Sequence, residues 1–177
     1  MRKVEVTSYN PEWKRKFEKE AKLLRDIFGV LVADIHHIGS TSVECMKAKP
    51  IIDIMPVVYD IKKVDEKNDD MRKIGYQPKG EYGIPGRRYF RKGGDLRTHH
   101  VHIFEFGDNN IERHLAFRDY LRTYTQARVD YGNLKTKLAE RFPNDMDSYI
   151  EGKEKFVVKL EGEALKWYRK QSGRENL

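Results

Sequence analysis

Cysteine is nearly missing from this chain. Cys45 is the single example, so no internal disulfide can form, which fits a reducing compartment. Long apolar runs are missing too. No stretch approaches the ~20 residues that cross a bilayer, and the opening "MRKVEVTSYNPEW" has no apolar core of signal-peptide length. These absences lead us to expect a soluble cytoplasmic protein with no membrane partner. Two phosphate-binding signatures are also absent: neither GxxxxGK[ST] nor GxGxxG occurs. No internal repeat, low-complexity stretch or linker interrupts residues 1–177, so a single domain is expected, long enough to bury a real core. Acidic residues are outnumbered, 28 against 35 Lys and Arg, which leaves a net charge of +7. That balance points toward phosphate-bearing partners.

The apolar positions set out an order of elements. Trp13, Phe17, Ala21, Leu24 and Phe28 recur at helical spacing, so a helix is predicted from Pro11 to Phe28, with Asn10 as cap and Gly29 as stop. "VLVADIHHI" (Val30 to Ile38) and "PIIDIMPVV" read as strands, the second apolar enough to be central. Ile61, Val64, Met71 and Ile74 suit a surface helix ending at Gly75. Strands follow around Arg88–Lys92 and Thr98–Phe106, joined through Gly93 and Gly94 before Asp95, as in a hairpin. The rest is helical. Ile111 to Tyr124 forms one helix and Ala127 to Phe142 another. A third, capped by Asp147, buries Ile150, Val157, Leu160, Ala164 and Trp167. The tail 169–177 is expected to fray. The fold class is α/β (α+β): a mixed sheet with helices and a helical C-terminal region.

Chemistry concentrates in three places. The turn Gly39-Ser40-Thr41-Ser42 follows a strand, and its glycine, hydroxyls and exposed N–H groups suit a phosphate cradle. Asp53 interrupts an apolar strand. An unpaired buried charge is costly, so Asp53 is either a core partner of Lys49 or an arginine, or the ligand of a divalent cation beside phosphates. In "THHVHIFEF", His100 and His102 share one strand face, a geometry suited to metal ligation or, when protonated, to phosphate. Arg87, Arg88, Arg91, Lys92 and Arg97 precede them, a density able to neutralise phosphates or simply to guard a hairpin edge.

Together, "HIGSTSV", "AKPIIDI", "HHVHIFE", "RHLAFRDYLR", "ERFP" and "YIEGKEKFV" resemble the GrpB-like family, from about Tyr9 to Tyr168. That family is similar to the nucleotidyltransferase superfamily typified by DNA polymerase beta. The resemblance implies a nucleotidyltransferase-like mixed sheet, with Gly39 and Ser40 in the superfamily's Gly-Ser turn and Asp53 as its first acid. Met55 stands where the second acid belongs, as is usual in the family, and His102 or Glu105 lies on the strand that would carry the third. One departure is local. The family turn continues Val-Pro-Gly-Leu, whereas this chain reads Val43-Glu44-Cys45-Met46. Some relatives are fused to a dephospho-coenzyme A kinase.

The resulting expectation is a metal-assisted, nucleotidyltransferase-like protein that binds or acts on a nucleotide or another phosphorylated small molecule. Asp53, Arg88 and Arg91 are the catalytic candidates. Gly39, Ser40, Thr41, Ser42 and Lys49 are the phosphate ligands. Asp53, His100 and His102 are the ligands for magnesium, manganese or zinc. The alternatives are a non-catalytic nucleotide-binding module and a His/Asp metal-dependent hydrolase. Nucleic acid is the less favoured partner.

Overall fold

A computed structural model describes residues 3–173. The first helix, α1 (Glu12–Phe28), buries Trp13, Ala21, Leu24 and Phe28, as the 3.6-residue period requires. Phe17, half-buried, stacks on His37 with ring centroids 4.7 Å apart. The N-cap is Pro11 rather than Asn10. Its φ of −57° is already helical, as a proline ring dictates. Gly29, at φ +52°, ends the helix and donates its N–H to the Arg25 carbonyl.

A short 3₁₀ turn, Gly29–Leu31, takes the residues expected to open the first strand. Strand β1 therefore spans Val32–Ile38, and β2 spans Ile52–Val58. The stretch read as one surface helix divides into a 3₁₀ segment, Ile61–Lys67, and a short α2 (Asn68–Lys73). A brief strand β3 (Tyr76–Pro78), not anticipated in the turn-rich stretch, precedes β4 (Arg88–Lys92) and β5 (His99–Glu105). Helices α3 (Asn109–Thr123), α4 (Thr125–Arg141) and α5 (Met146–Gln171) complete the chain.

The strands form one sheet in the order β1-β2-β5-β4-β3. β2 is internal, antiparallel to β1 and parallel to β5, while β4 pairs antiparallel with both β5 and β3. The fold is a mixed α/β arrangement of five strands and five α-helices among the described residues.

The chain divides into two compact units. One holds residues 11–38 and 51–111, which comprise the sheet, α1 and α2. Buried Glu20 of α1 was not foreseen. Its carboxylate accepts from Tyr76 Oη at 2.8 Å and from Lys92 Nζ at 2.9 Å.

The other unit holds residues 3–10, 39–50 and 112–173 of the described chain. Val43, Met46, Leu121, Tyr131 and Leu160 form one of its cores, and Val4, Leu138 and Tyr149 another. Asp145, not Asp147, caps α5: its side chain accepts from the Ser148 N–H at 3.0 Å. The buried face of α5 carries Tyr149, Leu160 and Ala164, and Ile150 is half-exposed. α5 runs on to Gln171, and Arg169 Nε is bonded to Glu112 at 2.9 Å. Residues 174–177 of the expected tail lie outside the described residues.

Candidate functional site

Strand register brings Asp53 to the histidines. In the parallel β2–β5 pair Asp53 lies beside His100, and His102 is two residues further on the same face. Asp53 Oδ1 is 3.1 Å from His102 Nε2 and 3.3 Å from His100 Nδ1. The side chains are 27%, 14% and 20% exposed for Asp53, His102 and His100, so the group is sheltered yet open to a small ligand. The carboxylate that interrupts the apolar β2 strand is therefore held by two imidazoles.

The outer nitrogens of both rings meet arginines. Arg87 Nη1 lies 3.4 Å from His102 Nδ1, and Arg97 Nη1 lies 3.4 Å from His100 Nε2. A guanidinium only donates. An outer nitrogen that accepts from its arginine leaves the ring's N–H to turn toward Asp53. Burial alone would raise the Asp53 carboxyl, but the hydrogen bonds from His100 and His102 outweigh it and hold the group well below the usual carboxylate range. Burial pushes His102 below its ordinary value despite the carboxylate beside it. Tyr89 floors the group, its ring centroid 5.7 Å from His100 and 5.3 Å from His102. Arg87 lies over that ring at 4.8 Å and donates to the carbonyls of Tyr82 at 2.7 Å and Glu81 at 3.1 Å.

One carboxylate oxygen and two imidazole nitrogens, all within 4.8 Å of one another, could hold a metal ion. A donor set two-thirds imidazole suits zinc or manganese better than magnesium, which prefers oxygen. Ligation would require each inner nitrogen to give up its hydrogen and the outer one to carry it. Arg97, on the hairpin after Gly94, donates Nε to the Gly94 carbonyl at 3.2 Å. Arg87 is pinned at 7% exposure.

The two arginines predicted as catalytic separate. Arg91 pairs in register with His100 and so shares its face, with Nε bonded to Gln77 Oε1 at 2.8 Å. Arg88 pairs with Ile103 on the opposite face and holds Asp65 through Nε at 2.7 Å and Nη2 at 3.1 Å. Arg87 and Arg97 are the arginines that touch the histidines. Glu105 is not with them: its carboxylate accepts the Ile61 N–H at 2.9 Å, opening the 3₁₀ segment.

The predicted phosphate ligands belong to the other unit. Gly39, at φ +70°, leads into a 3₁₀ turn over Ser40–Ser42. Thr41 and Ser42 are buried. The Ser42 hydroxyl donates to the Gly39 carbonyl at 2.5 Å, and the Ser42 carbonyl accepts from Arg122 at 2.8 and 3.1 Å. Ser40 keeps its hydroxyl for Lys135 Nζ, 2.9 Å away. Lys49 Nζ lies 3.5 Å from Met146 Sδ and over the Tyr149 ring at 5.1 Å.

The GrpB protein family model matches residues 3–163. The glutamate-rich protein GrpB of Alkalihalophilus pseudofirmus is 37% identical over 162 residues, which cover 89% of this chain and 93% of that protein. The chain belongs to the GrpB family. UPF0157 protein YqkA of Bacillus subtilis is 47% identical over 175 residues, 99% of this chain but half the length of that relative. The crystal structure of conserved protein GrpB from Enterococcus faecalis superposes with a TM-score of 0.90 at 47% identity, covering 93% of this chain and 99% of that one. At the level of fold alone, the Cid1 poly(U) polymerase with Mg 3′-dATP bound superposes with a TM-score of 0.52 at 12% identity, over 83% of this chain and 49% of that one. The nucleotidyltransferase-like fold is therefore shared.

Two positions gain meaning within GrpB. Met55, where the superfamily carries its second acid, is fully buried. Asp53 is thus left with histidines rather than a second carboxylate. Cys45 stands at the glycine of the family's Val-Pro-Gly-Leu turn and has φ +62°, a conformation that glycine adopts freely and other residues do not. Among the residues not singled out from sequence, Lys135 matters most. It lies four residues after Tyr131 and three before Leu138, on the stripe those apolar residues mark. That spacing was the available signal.

Proposed function

We propose that this GrpB protein binds one divalent cation through Asp53, His100 and His102, and a nucleotide or other phosphorylated small molecule beside it, in support of phosphoryl or nucleotidyl transfer. The convergence of one carboxylate and two imidazoles on a single face of the sheet carries this reading. A bound cation would supply Lewis-acid polarisation of a phosphoryl oxygen. The remaining work falls to the chain itself. Asp53 orients both rings through its Oδ1. Arg97, on the Gly93–Gly94 hairpin, and Arg91, on the His100 face, offer guanidinium groups to phosphate oxygens. Tyr89 backs the imidazoles and keeps water from that side. The nucleotidyltransferase-like fold supports the substrate class but not the reaction, since one fold hosts many activities.

A second reading is favoured by the outer-nitrogen contacts. Ligating histidines usually turn the outer N–H toward a carbonyl or carboxylate, whereas Arg87 and Arg97 occupy those positions here. With two guanidinium groups against one carboxylate, the group is also suited to bind an anion without a metal or turnover. Incubation with nucleoside triphosphates and Mn²⁺, Mg²⁺ or Zn²⁺, with product release followed by chromatography, separates the readings. Metal-dependent product formation that Asp53→Asn abolishes supports transfer. Nucleotide binding that is unchanged by EDTA, with no product under any metal, overturns it in favour of the binding module.

A further inference from the structure

Lys135 is 2% exposed in the middle of α4. Its Nζ lies 2.9 Å from the Ser40 hydroxyl oxygen and 4.5 Å from the centre of the Tyr131 ring. Among the described residues, neither contact brings it a negative charge. Burying an ammonium group against only a hydroxyl and a ring face is costly, and loss of the proton removes that cost. Burial first, and then the charges of Lys153 and Lys49, push Lys135 well below its ordinary value. The amine so formed carries a lone pair, and the Ser40 hydroxyl is within reach to donate to it. Ser40 is half-buried at the start of the 3₁₀ turn Ser40–Ser42. The turn is held in place: the Ser42 N–H donates to the Gly39 carbonyl at 3.1 Å, and Arg122 donates to the Ser42 carbonyl. Ser40 and Lys135 belong to one unit, residues 39–50 and 112–173 with 3–10.

We propose that Ser40 and Lys135 form a serine–lysine dyad that makes Ser40 a nucleophile toward activated carboxylic esters. A serine hydroxyl is a weak nucleophile until a base within hydrogen-bond reach takes its proton, and a desolvated lysine is such a base. In the first step Ser40 Oγ bonds to the carbonyl carbon, its hydrogen passes to Lys135 Nζ, and the carbonyl π pair moves onto oxygen. When that pair returns, the bond to the leaving oxygen breaks, and the leaving group departs with the bonding pair and takes the proton back from Lys135. Water then attacks the Ser40 ester in the same way, with its proton passing to Lys135. The carboxylic acid leaves, and the Ser40 hydroxyl is restored. The face of the Tyr131 ring supports the ammonium group that forms between these steps. A carbonyl carbon suits the dyad better than a phosphoryl group, whose transfer depends on metal ions or guanidinium groups to neutralise its charge. The dyad needs neither Asp53 nor a cation, so it stands or falls apart from the proposed cation site.

p-Nitrophenyl acetate added to the full chain in buffer with EDTA tests the dyad. Release of p-nitrophenolate is followed by absorbance, and the acetyl group is located by peptide mass spectrometry. The wild type should release a burst of one p-nitrophenolate per chain and carry the acetyl group on Ser40. Ser40→Ala should lose the burst. Lys135→Met, checked as folded by circular dichroism, should acetylate Ser40 about 10²–10⁴-fold more slowly, the usual contribution of a positioned base. Peptide mapping of the wild type decides the matter even if Lys135→Met fails to fold. The proposal is overturned if Ser40 is acetylated no faster than the other serines of the chain, if the acetyl group is found on Lys135 instead, or if folded Lys135→Met acetylates Ser40 at the wild-type rate.

Discussion

His102 stands between Asp53 and Arg87, with Nε2 3.1 Å from the Asp53 carboxylate and Nδ1 3.4 Å from the guanidinium. The two neighbours demand opposite things of the ring, and one neutral tautomer satisfies both. In metal-free protein at pH 7, ¹⁵N spectra of the imidazoles should therefore show His102 neutral and protonated at Nε2. An imidazolium, or a proton on Nδ1, would show that Arg87 does not fix the ring. Addition of Zn²⁺ should transfer the hydrogen to Nδ1.

The same group makes stability fall with acid in two steps. The folded value of His102 is lowered, so the unfolded chain binds the proton first, and stability declines as pH drops below about 6.5. Asp53 is also lowered. Its contribution is complete above about 3.9 and is lost as pH falls toward its folded value. Urea titrations between pH 7 and pH 3 should show both declines in the wild type. In Asp53→Asn the lower one should shrink.

Lys135 predicts the opposite trend for a substitution. Replacing a buried ion with an apolar residue of similar volume is often neutral or stabilising, by about 1–4 kcal/mol. In phosphate-free buffer at pH 7, Lys135→Met should unfold at the same or a higher urea concentration than wild type. Because the folded value of Lys135 is lowered, the wild type gains on the variant as pH rises toward about 10.4. A variant several kcal/mol less stable at pH 7 would mean that the Ser40 contact outweighs desolvation.

Buried Glu20 ties α1 to β3 and β4 through Tyr76 and Lys92. Glu20→Ala strands the lysine and should cost about 3–5 kcal/mol, as for other broken buried pairs. Tyr76→Phe removes one hydrogen bond to a charged acceptor and should cost about 1.5–3 kcal/mol. Equal costs in denaturant titrations would mean that the ion pair contributes nothing beyond the phenol.

Cys45→Gly should stabilise the protein. A non-glycine residue in the left-handed region costs on the order of 1–3 kcal/mol. Glycine gives back about 0.4–1 kcal/mol through its freer unfolded chain. A net gain of about 1 kcal/mol is expected from Tm and urea midpoints, and a loss would show that the thiol makes a compensating contact.

Periodicity made much of this legible. The stripe from Trp13 to Phe28, the two apolar strands and the alternation through His100 and His102 are local patterns, and the structure follows them. Asp53, His100 and His102 were recognisable as ligand types, but their meeting depends on the parallel β2–β5 register, which no local pattern encodes. The arginines show the limit most clearly. Arg87, Arg88 and Arg91 are equivalent in composition, yet strand alternation sends Arg88 to Asp65 and leaves Arg91 on the histidine face. Lys135 and Glu20 lay hidden because a charged residue on an apolar stripe is ordinarily read as a solvated edge. On α5 the stripe is followed at Leu160 and Ala164, which are buried, and at Val157, which packs on the core, while at its start Tyr149 is buried in place of Ile150.

Calorimetric titration of Zn²⁺ or Mn²⁺ into metal-free protein, wild type beside Asp53→Asn, tests the proposed cation site most directly. Asparagine keeps the size and still accepts from both rings, but loses the charge a cation needs. The wild type should bind one ion per chain, and Asp53→Asn, checked as folded by circular dichroism, should bind roughly a hundredfold more weakly or not at all. A wild type that binds neither ion, or a variant that binds as tightly as wild type, would contradict a metal site at Asp53, His100 and His102.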